Sequence, residues 1–586
     1  MGLECIKAIN GQRPFDVVIE NVKIVNVFNL SVMEGSVAWV GDTIACIGEM
    51  DFPYTAKETI DGKGRYAIPG LIDSHMHIES SMMAPARFAE LVLACGTTTV
   101  AADPHEIGNV CGVAGVRALT EAAGRTPLHV LMMAPSTIPS APGLERAGFS
   151  VEEKEMEEML DIPGVYGMGE IMDFNAVADG DERILAVLAA AKKRGVIMDA
   201  HIPALTGRRL QAFRTAGADA DHTDMFLDRA REKLEMGFAI QVQQTFLSAE
   251  LMAFLNDYPM QDRIMLITDD VPYIELVRNG HLNANVRDAI ALGLEPMKAI
   301  RYATLNAADR LRLYDRGAVS PGYKADVLLV DSLEEMKPSM VFSDGKLVAE
   351  NGKCLVRSGD YSFPEEFYRS IHVLPLEATD LVMKTGEPGA ARALVNTIAC
   401  GKVSTRTQRE EHWVPVKGGV LQPAEAGLMK MAIVYRHGYG PEKAPGKEVS
   451  LGLISGFPDF KGAIATTYAH DSHNLVVYGA DDADMVLAAN HLLEMGGGLC
   501  AVLNGEVIGQ VELPLAGLLS EAEAEPLTRS FEGLFAAVER LGLDHAHPMT
   551  FLTLMALAVS LEIKCTDIGL VDVREKKRIP VIIRTE

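Results

Sequence analysis

The chain has 586 residues, 48% of them hydrophobic, with 54 Lys and Arg against 80 Asp and Glu and a formal net charge of −26. That length exceeds one hydrophobic core and predicts two or three domains. So acidic a chain excludes nucleic acid and anionic membrane surfaces as expected partners, because phosphate binding needs basic patches.

Short strands come first, over residues 16–20, 22–26, 36–40 and 43–47, with Gly41-Asp42 as a turn. From residue 68 the character changes. Apolar runs over 68–73, 97–102, 129–133, 165–169, 196–200, 218–221, 238–242 and 264–267 recur at intervals suited to strand–helix units. They are followed in turn by His75-Met76-His77, Asp103-Pro104-His105-Glu106, Pro135-Ser136, Glu170, His201, His222, Gln243-Gln244 and Thr268-Asp269-Asp270. Between them, 85–95, 151–160, 181–194, 205–216 and 249–256 place apolar residues at i, i+3 and i+4, as helices do. The pattern predicts an α/β protein whose 68–315 segment is a (β/α)8 TIM-type barrel, with its chemistry at the carboxyl ends of the strands. The potential metal ligands lie at those ends.

On a strand, His75 and His77 point the same way. Four imidazoles (His75, His77, His201, His222) and two carboxylates (Glu170, Asp269) exceed what one tetrahedral ion needs. They suit two adjacent divalent cations, with His75, His77 and Asp269 on one, His201 and His222 on the other, and Glu170 between. Such ions lower the pKa of bound water from about 15.7 to about 7, and Asp269 is placed to take its proton and pass it to a leaving group.

Residues 316–370 resume the opening style, with strands expected over 325–330, 340–343 and 346–348. With 1–67 they read as one discontinuous β-sandwich domain that braces the barrel. Residues 371–586 form a C-terminal α+β unit, with strands over 451–454, 463–468, 475–479 and 499–503 and helices over 482–495 and 527–541. Gly496-Gly497-Gly498 lacks the Lys-Ser/Thr of a phosphate loop and reads as a turn. His470-Asp471-Ser472-His473-Asn474 is either a polar surface loop or one that reaches the barrel mouth to contact substrate or a further metal.

The eight cysteines are scattered, without Cys-x-x-Cys pairs, which suggests reduced thiols. Residues 1–7 lack the basic-then-apolar pattern of a signal peptide, and no apolar run reaches the length of a membrane span. A cytoplasmic location is expected.

Several stretches together resemble the bacterial adenine deaminase family of the amidohydrolase superfamily. They are Pro-Gly-Leu-Ile-Asp-Ser-His-Met-His-Ile-Glu-Ser-Ser-Met (69–82), Gly-Thr-Thr-Thr-Val-Ala-Ala-Asp-Pro-His-Glu-Ile-Gly-Asn-Val (96–110), Gly-Glu-Ile-Met (169–172), Thr-Asp-Asp (268–270), Pro-Gly-Tyr-Lys-Ala-Asp (321–326) and His-Asp-Ser-His-Asn (470–474). The resemblance implies hydrolytic deamination of adenine to hypoxanthine and ammonia at a binuclear divalent centre, with Mn2+ or Fe2+ as the ions and Zn2+ a further candidate. It makes Glu170 the bridging carboxylate. It implies a small-molecule purine as substrate and a homodimer or higher homo-oligomer. His105 or Glu106 is then the candidate to protonate the ring nitrogen or orient the base, against a purely structural role for His105. Asn109, Arg287, His473 and Asn474 are candidate purine contacts. The chain departs from the family's usual Ser-Asp-His-Glu at the sixth strand, where it reads Ala-Asp-His-Thr (220–223). That departure keeps another aminopurine, such as an N-methylated adenine, open as substrate. A cyclic-amide amidohydrolase would use the same ligands but a lysine where Glu170 stands, and a non-catalytic scaffold would have lost ligands.

Overall fold

The computed structural model describes residues 2–402 and 406–586, and its strands fall into three main systems along the chain. The first is a nine-stranded sheet drawn from two distant parts of the sequence. Phe15–Asn26, Ser31–Val40, Thr43–Gly48, Ala56–Asp61 and Tyr66–Pro69 supply one part, and Val327–Val330, Pro338–Ser343, Lys346–Glu350 and Lys353–Cys354 the other. The joint is the antiparallel pairing of Tyr66–Pro69 with Val327–Val330, with Pro69 opposite Val327. Val17, Ile19, Ile24, Trp39, Leu329 and Phe342 pack together on one face. The strands expected over 16–20 and 22–26 are one strand. Its pairing with Ser31–Val40 slips between Ile19 and Val22, and Asn21 takes φ 55°, so a bulge stands where the sequence reads as a break.

The second system is two sheets of four parallel strands each. Leu71–Met76, Thr97–Ala102, His129–Ala134 and Val165–Met168 form one, and Asp199–Ala200, Ala220–Asp221, Ala239–Val242 and Ile264–Leu266 the other. Single parallel bridges join them at both edges, Met168 to Met198 and Met76 to Asp269. Ile72, Ala101, Leu131, Met133, Ile197, Ala220, Ala239 and Met265 meet in one apolar cluster between the sheets. Side-chain alternation sends the intervening residues outward onto helices such as Pro85–Ala94, Glu182–Arg194 and Gly207–Ala216. The helix His105–Ala123 has no clean apolar period, because Gly108, Gly112 and Gly115 interrupt it and Gly112 kinks it at φ 61°.

One expected strand is divided. The apolar run over 68–73 serves two sheets, ending one strand at Pro69 and starting the next at Leu71. Gly70 is the step between them. Its amide donates to the Asp326 carbonyl at 2.9 Å, and a Cβ there would overlap Thr98 Oγ1.

The third system is a ten-stranded sheet from the last 200 residues, flanked by helices Asp482–Met495 and Ala524–Leu541. Strand Gly498–Leu503 shows how both faces are covered. Cys500 and Val502 pack with Met485, Ala488 and Leu492 of the first helix, whereas Leu499 and Ala501 share a core with Phe531 and Leu534 of the second. The second helix also docks the sheet on the parallel strands. Tyr273 stacks on Phe531 with ring centroids 5.1 Å apart, and its hydroxyl donates to the Ala524 carbonyl at 2.6 Å. Gly496 ends the first helix in the left-handed conformation, the turn expected there. Among the described residues no helix is long and apolar enough to cross a membrane.

The Gly70 step gives a direct test. Gly70→Ala should lower stability in urea unfolding by about 1–3 kcal/mol through overpacking. Adding Thr98→Ala, which removes the struck atom, should recover part of that loss. Unchanged stability of the single variant would mean that the two strands yield freely at this point.

Candidate metal centre

The carboxyl ends of the parallel strands converge on one buried cluster. Its centre is Glu170, 4% exposed, directly after the fourth strand. One of its oxygens, Oε1, lies 3.5 Å from His77 Nε2. The other, Oε2, lies 2.7 Å from His201 Nδ1 and 3.2 Å from His222 Nε2. Asp269 repeats the pattern from the eighth strand: Oδ1 is 3.2 Å from His77 Nε2 and 3.7 Å from His75 Nε2, and Oδ2 is 3.9 Å from His222 Nε2. The ring nitrogen His75 Nε2, which faces Asp269, has no hydrogen-bond partner although the residue is buried. Lone pairs withdrawn from water without a donor are costly, and a divalent cation among N and O ligands satisfies them. His75, His77 and Glu170, His75, His222 and Asp269, and Glu170, His201 and His222 each bring three ligand atoms within 4.8 Å of one another. The donor set therefore fits metal ions.

Backbone and outer side chains hold these groups in place. His77 Nδ1 donates to the Asp103 carbonyl at 2.9 Å, which leaves Nε2 free to face the two carboxylates. His75 Nδ1 lies 3.4 Å from Asp199 Oδ2, whose other oxygen accepts from Arg310 at 2.5 Å. The Glu170 amide donates to Asp103 Oδ2 at 2.8 Å, so close an approach that any Cβ on Gly169 would overlap that carboxylate. Asp269 sits at φ 60°, a left-handed backbone that few residues other than glycine adopt, and its amide donates to the His75 carbonyl at 3.2 Å. Asp221 accepts from the Ile202 amide at 2.9 Å, from the Thr223 amide at 3.0 Å and from the buried Lys233 Nζ at 2.7 Å. It thereby fixes the segments that carry His201 and His222.

The electrostatics favour ionised carboxylates. Burial opposes charge on Glu170, but His201 and His222 hold it well below the ordinary carboxylate range. Burial likewise opposes charge on Asp269, and His222 and His77 outweigh it. The cluster opens on a cavity of about 1570 Å³ whose wall includes His201, Thr223, Gln243 and Asp269, with Leu557–Leu561 of the C-terminal unit opposite. Gln243 Nε2 donates to Asp269 Oδ2 at 2.5 Å.

Comparison with known proteins follows the same division of the chain. Residues 66–348 match the amidohydrolase family, and residues 404–577 match the adenine deaminase C-terminal domain. The chain is 37% identical over 582 residues to adenine deaminase 2 of Carboxydothermus hydrogenoformans, covering 99% of each chain. It is 37% identical over 581 residues to an adenine deaminase of Dehalococcoides mccartyi, covering 98% of each. With that of Desulfatibacillum aliphaticivorans the identity is 38% over 572 residues, 97% of this chain and 98% of the other. The chain belongs to the adenine deaminase family.

In this member of the adenine deaminase family, the structure brings His75, His77, Glu170, His201, His222 and Asp269 together, and it reassigns other candidates. Both oxygens of Glu106 are taken: Oε1 by His470 Nδ1 at 2.6 Å and Tyr468 at 3.4 Å, Oε2 by His473. These contacts hold the Glu106 carboxylate against the C-terminal unit, and it does not line the cavity. The His105 ring lies between carboxylates, 3.7 Å from Glu170 through Nδ1 and 3.4 Å from Glu106 through Nε2, so it too is turned from the cavity. His473 is fully buried against Glu106. Asn109 donates to the His105 carbonyl at 2.9 Å from within its own helix. Asn474 donates to the Arg146 carbonyl at 3.0 Å and accepts from the Arg436 amide at 3.2 Å. Arg287 pairs with its neighbour Asp288 at 3.0 Å on the helix Leu282–Ala291 and does not line the cavity. None of these four lines the cavity. Residues 470–474 are buried, so the surface-loop reading of that segment is wrong. Gln243 is a further residue of the cavity wall whose place after the seventh strand is a usable sequence signal, whereas the distant partners Arg310 and Lys233 leave none.

Lys233 is 1% exposed and its loss would leave the Asp221 charge buried and unpaired. Lys233→Met should therefore cost about 3–5 kcal/mol in urea unfolding. Pairing it with Asp221→Asn should restore a substantial part. A single variant as stable as the parent would show that this ion pair does not brace the His201 and His222 segments.

Proposed function

We propose that the two four-stranded sheets are one closed (β/α)8 barrel over residues 68–315. In this reading it is braced by a discontinuous β unit, 1–67 and 316–370, and followed by the C-terminal α+β unit, 371–586. The single parallel bridges at both sheet edges and the shared apolar cluster support that reading. The chain is a hydrolytic aminohydrolase that converts adenine to hypoxanthine and ammonia. The observation that carries this conclusion is Glu170, whose two oxygens face different imidazoles. A lysine there would have pointed to cyclic-amide hydrolysis.

In this reading His75, His77 and Asp269 hold one cation, His201 and His222 a second, and Glu170 lies between them. Divalent ions there, Mn2+ or Fe2+ with Zn2+ also suited to the ligands, supply Lewis acidity and an acidified water. Asp269, at the cavity wall, accepts the proton of the attacking water and delivers it to the departing amino nitrogen. Gln243 holds the Asp269 carboxylate toward the cavity while the proton is in transit. Thr223 lines the cavity, its hydroxyl donating to Asp221 at 3.1 Å, where the family's usual residue is the larger glutamate, and that is why an N-methylated adenine belongs in the assay. We further place the enzyme in the cytoplasm as a homodimer or larger homo-oligomer acting on a free purine.

The decisive assay is ammonia release by manganese-loaded protein from adenine, with N-methylated adenine, guanine and cytosine alongside. Adenine should be the fastest, and no release from any of them would end the deaminase reading. Asp269→Asn should lower kcat by about 10²–10⁴-fold, the usual contribution of a positioned acid–base group, while metal content is retained through the remaining ligands. Undiminished turnover in that variant would remove Asp269 from proton transfer.

A further inference from the structure

A second group of ligating side chains lies beside the first and has no part in the reaction above. His105 and Glu106 open the helix that follows the second parallel strand. His470 and Asp471 come from the C-terminal sheet, on the connection between strands Ala463–Thr466 and Leu475–Gly479. Their relative exposures are 4%, 0%, 6% and 3%. Four ligand atoms face one another. His105 Nε2 is 3.4 Å from Glu106 Oε1 and 3.9 Å from Asp471 Oδ1, and His470 Nδ1 is 2.6 Å from Glu106 Oε1 and 3.3 Å from Asp471 Oδ1. Nitrogen and oxygen donors about 2.1 Å from a tetrahedral ion stand about 3.4 Å apart. The observed separations bracket that value.

Asp471 Oδ2 has no hydrogen-bond partner, and neither has Oε2 of Glu79 or Glu145. Burial, and then the neighbouring Glu106 and Asp471 respectively, push those two carboxyl groups up toward the protonated form. Glu106 and Asp471 share His105 and His470, and His473 pairs with Glu106 alone. A fully paired ion network would bring a donor to each of these oxygens, and this one does not.

We propose that His105, Glu106, His470 and Asp471 hold a further divalent first-row cation, separate from the centre at Glu170. Imidazole and carboxylate ligands suit Mn2+, Fe2+ or Zn2+ there. The site joins two parts of the molecule, since two ligands come from the strand ends and two from the C-terminal sheet. His105 stands between the two centres, with Nδ1 3.7 Å from Glu170 and Nε2 in the second group. This inference stands apart from the deaminase reading and survives its failure.

Manganese is the probe. Full-length protein loaded with Mn2+ and freed of loose ions should carry about three manganese per chain, and about two when His470→Gln and Asp471→Asn are combined. Equal ratios in the two proteins would overturn the proposal. Because the double variant bears on a buried site and can fail to fold, anomalous scattering from manganese-loaded wild-type crystals gives the independent readout. A peak enclosed by the four ligand atoms is the expected result. Peaks confined to the Glu170 centre would make the second group an ion-pair network only, and would leave the deaminase reading intact. A peak in the second group with none at Glu170 would support this site and count against the first.

Discussion

The structure around the site depends on one constraint: Glu170 and Asp269 are carboxylates removed from water and must stay charged. Their surroundings answer that demand with imidazoles on both sides of each group. An unpaired buried charge costs several kcal/mol, so no element that supplies a partner can drift without penalty. Asp103 then accepts from the Glu170 amide, and Gly169 is the residue that lets this carboxylate come so near. Asp199 with Arg310 backs His75, and Asp221 with Lys233 backs the segments of His201 and His222. The layers outside the centre are a sequence of charge compensations, each fixing the next.

The C-terminal sheet belongs to that scheme. Its loop around His470 is buried against Glu106, and Leu557–Leu561 forms part of the cavity wall. Docking rests on apolar contact as well, with Tyr273 stacked on Phe531 and paired backbone hydrogen bonds between the segments at Met82 and Ser520. The cavity is thus bounded by two chain regions that are distant in sequence.

The alternation of strands and helices was legible because strand ends carry ligands and strand interiors carry apolar runs. Thr97–Ala102, Leu475–Gly479 and Asp482–Met495 fall where their patterns predict. The fifth and sixth parallel strands pair over only two residues each, so their apolar runs exceed their ladders. Helix His105–Ala123 escaped because its glycines erase the period. The metal-type residues were legible as a set, since histidines and acids at successive strand ends share one rim. The purine contacts were not. Asn109 and Arg287 bond to near neighbours in the chain and Asn474 to Arg146, and no local pattern in the sequence shows that all three lie away from the cavity. The burial of His470 and Asp471 was hidden because the groups they face, Glu106 and His105, lie more than 300 residues earlier.

The joint between Pro69 and Val327 bears on how the chain is made. Tyr66–Pro69 cannot find its antiparallel neighbour until about 250 further residues exist. At about 5–20 residues per second, synthesis leaves the opening strands with an unfilled edge for about 10–50 s. The sheet's own twisted hairpin, Phe15–Asn26 against Ser31–Val40, must shelter its apolar face through that interval. The nine-stranded sheet is therefore begun before the parallel unit and closed only after it, and its closing pair locks the ends of that unit together once residues 75–269 have all been synthesised.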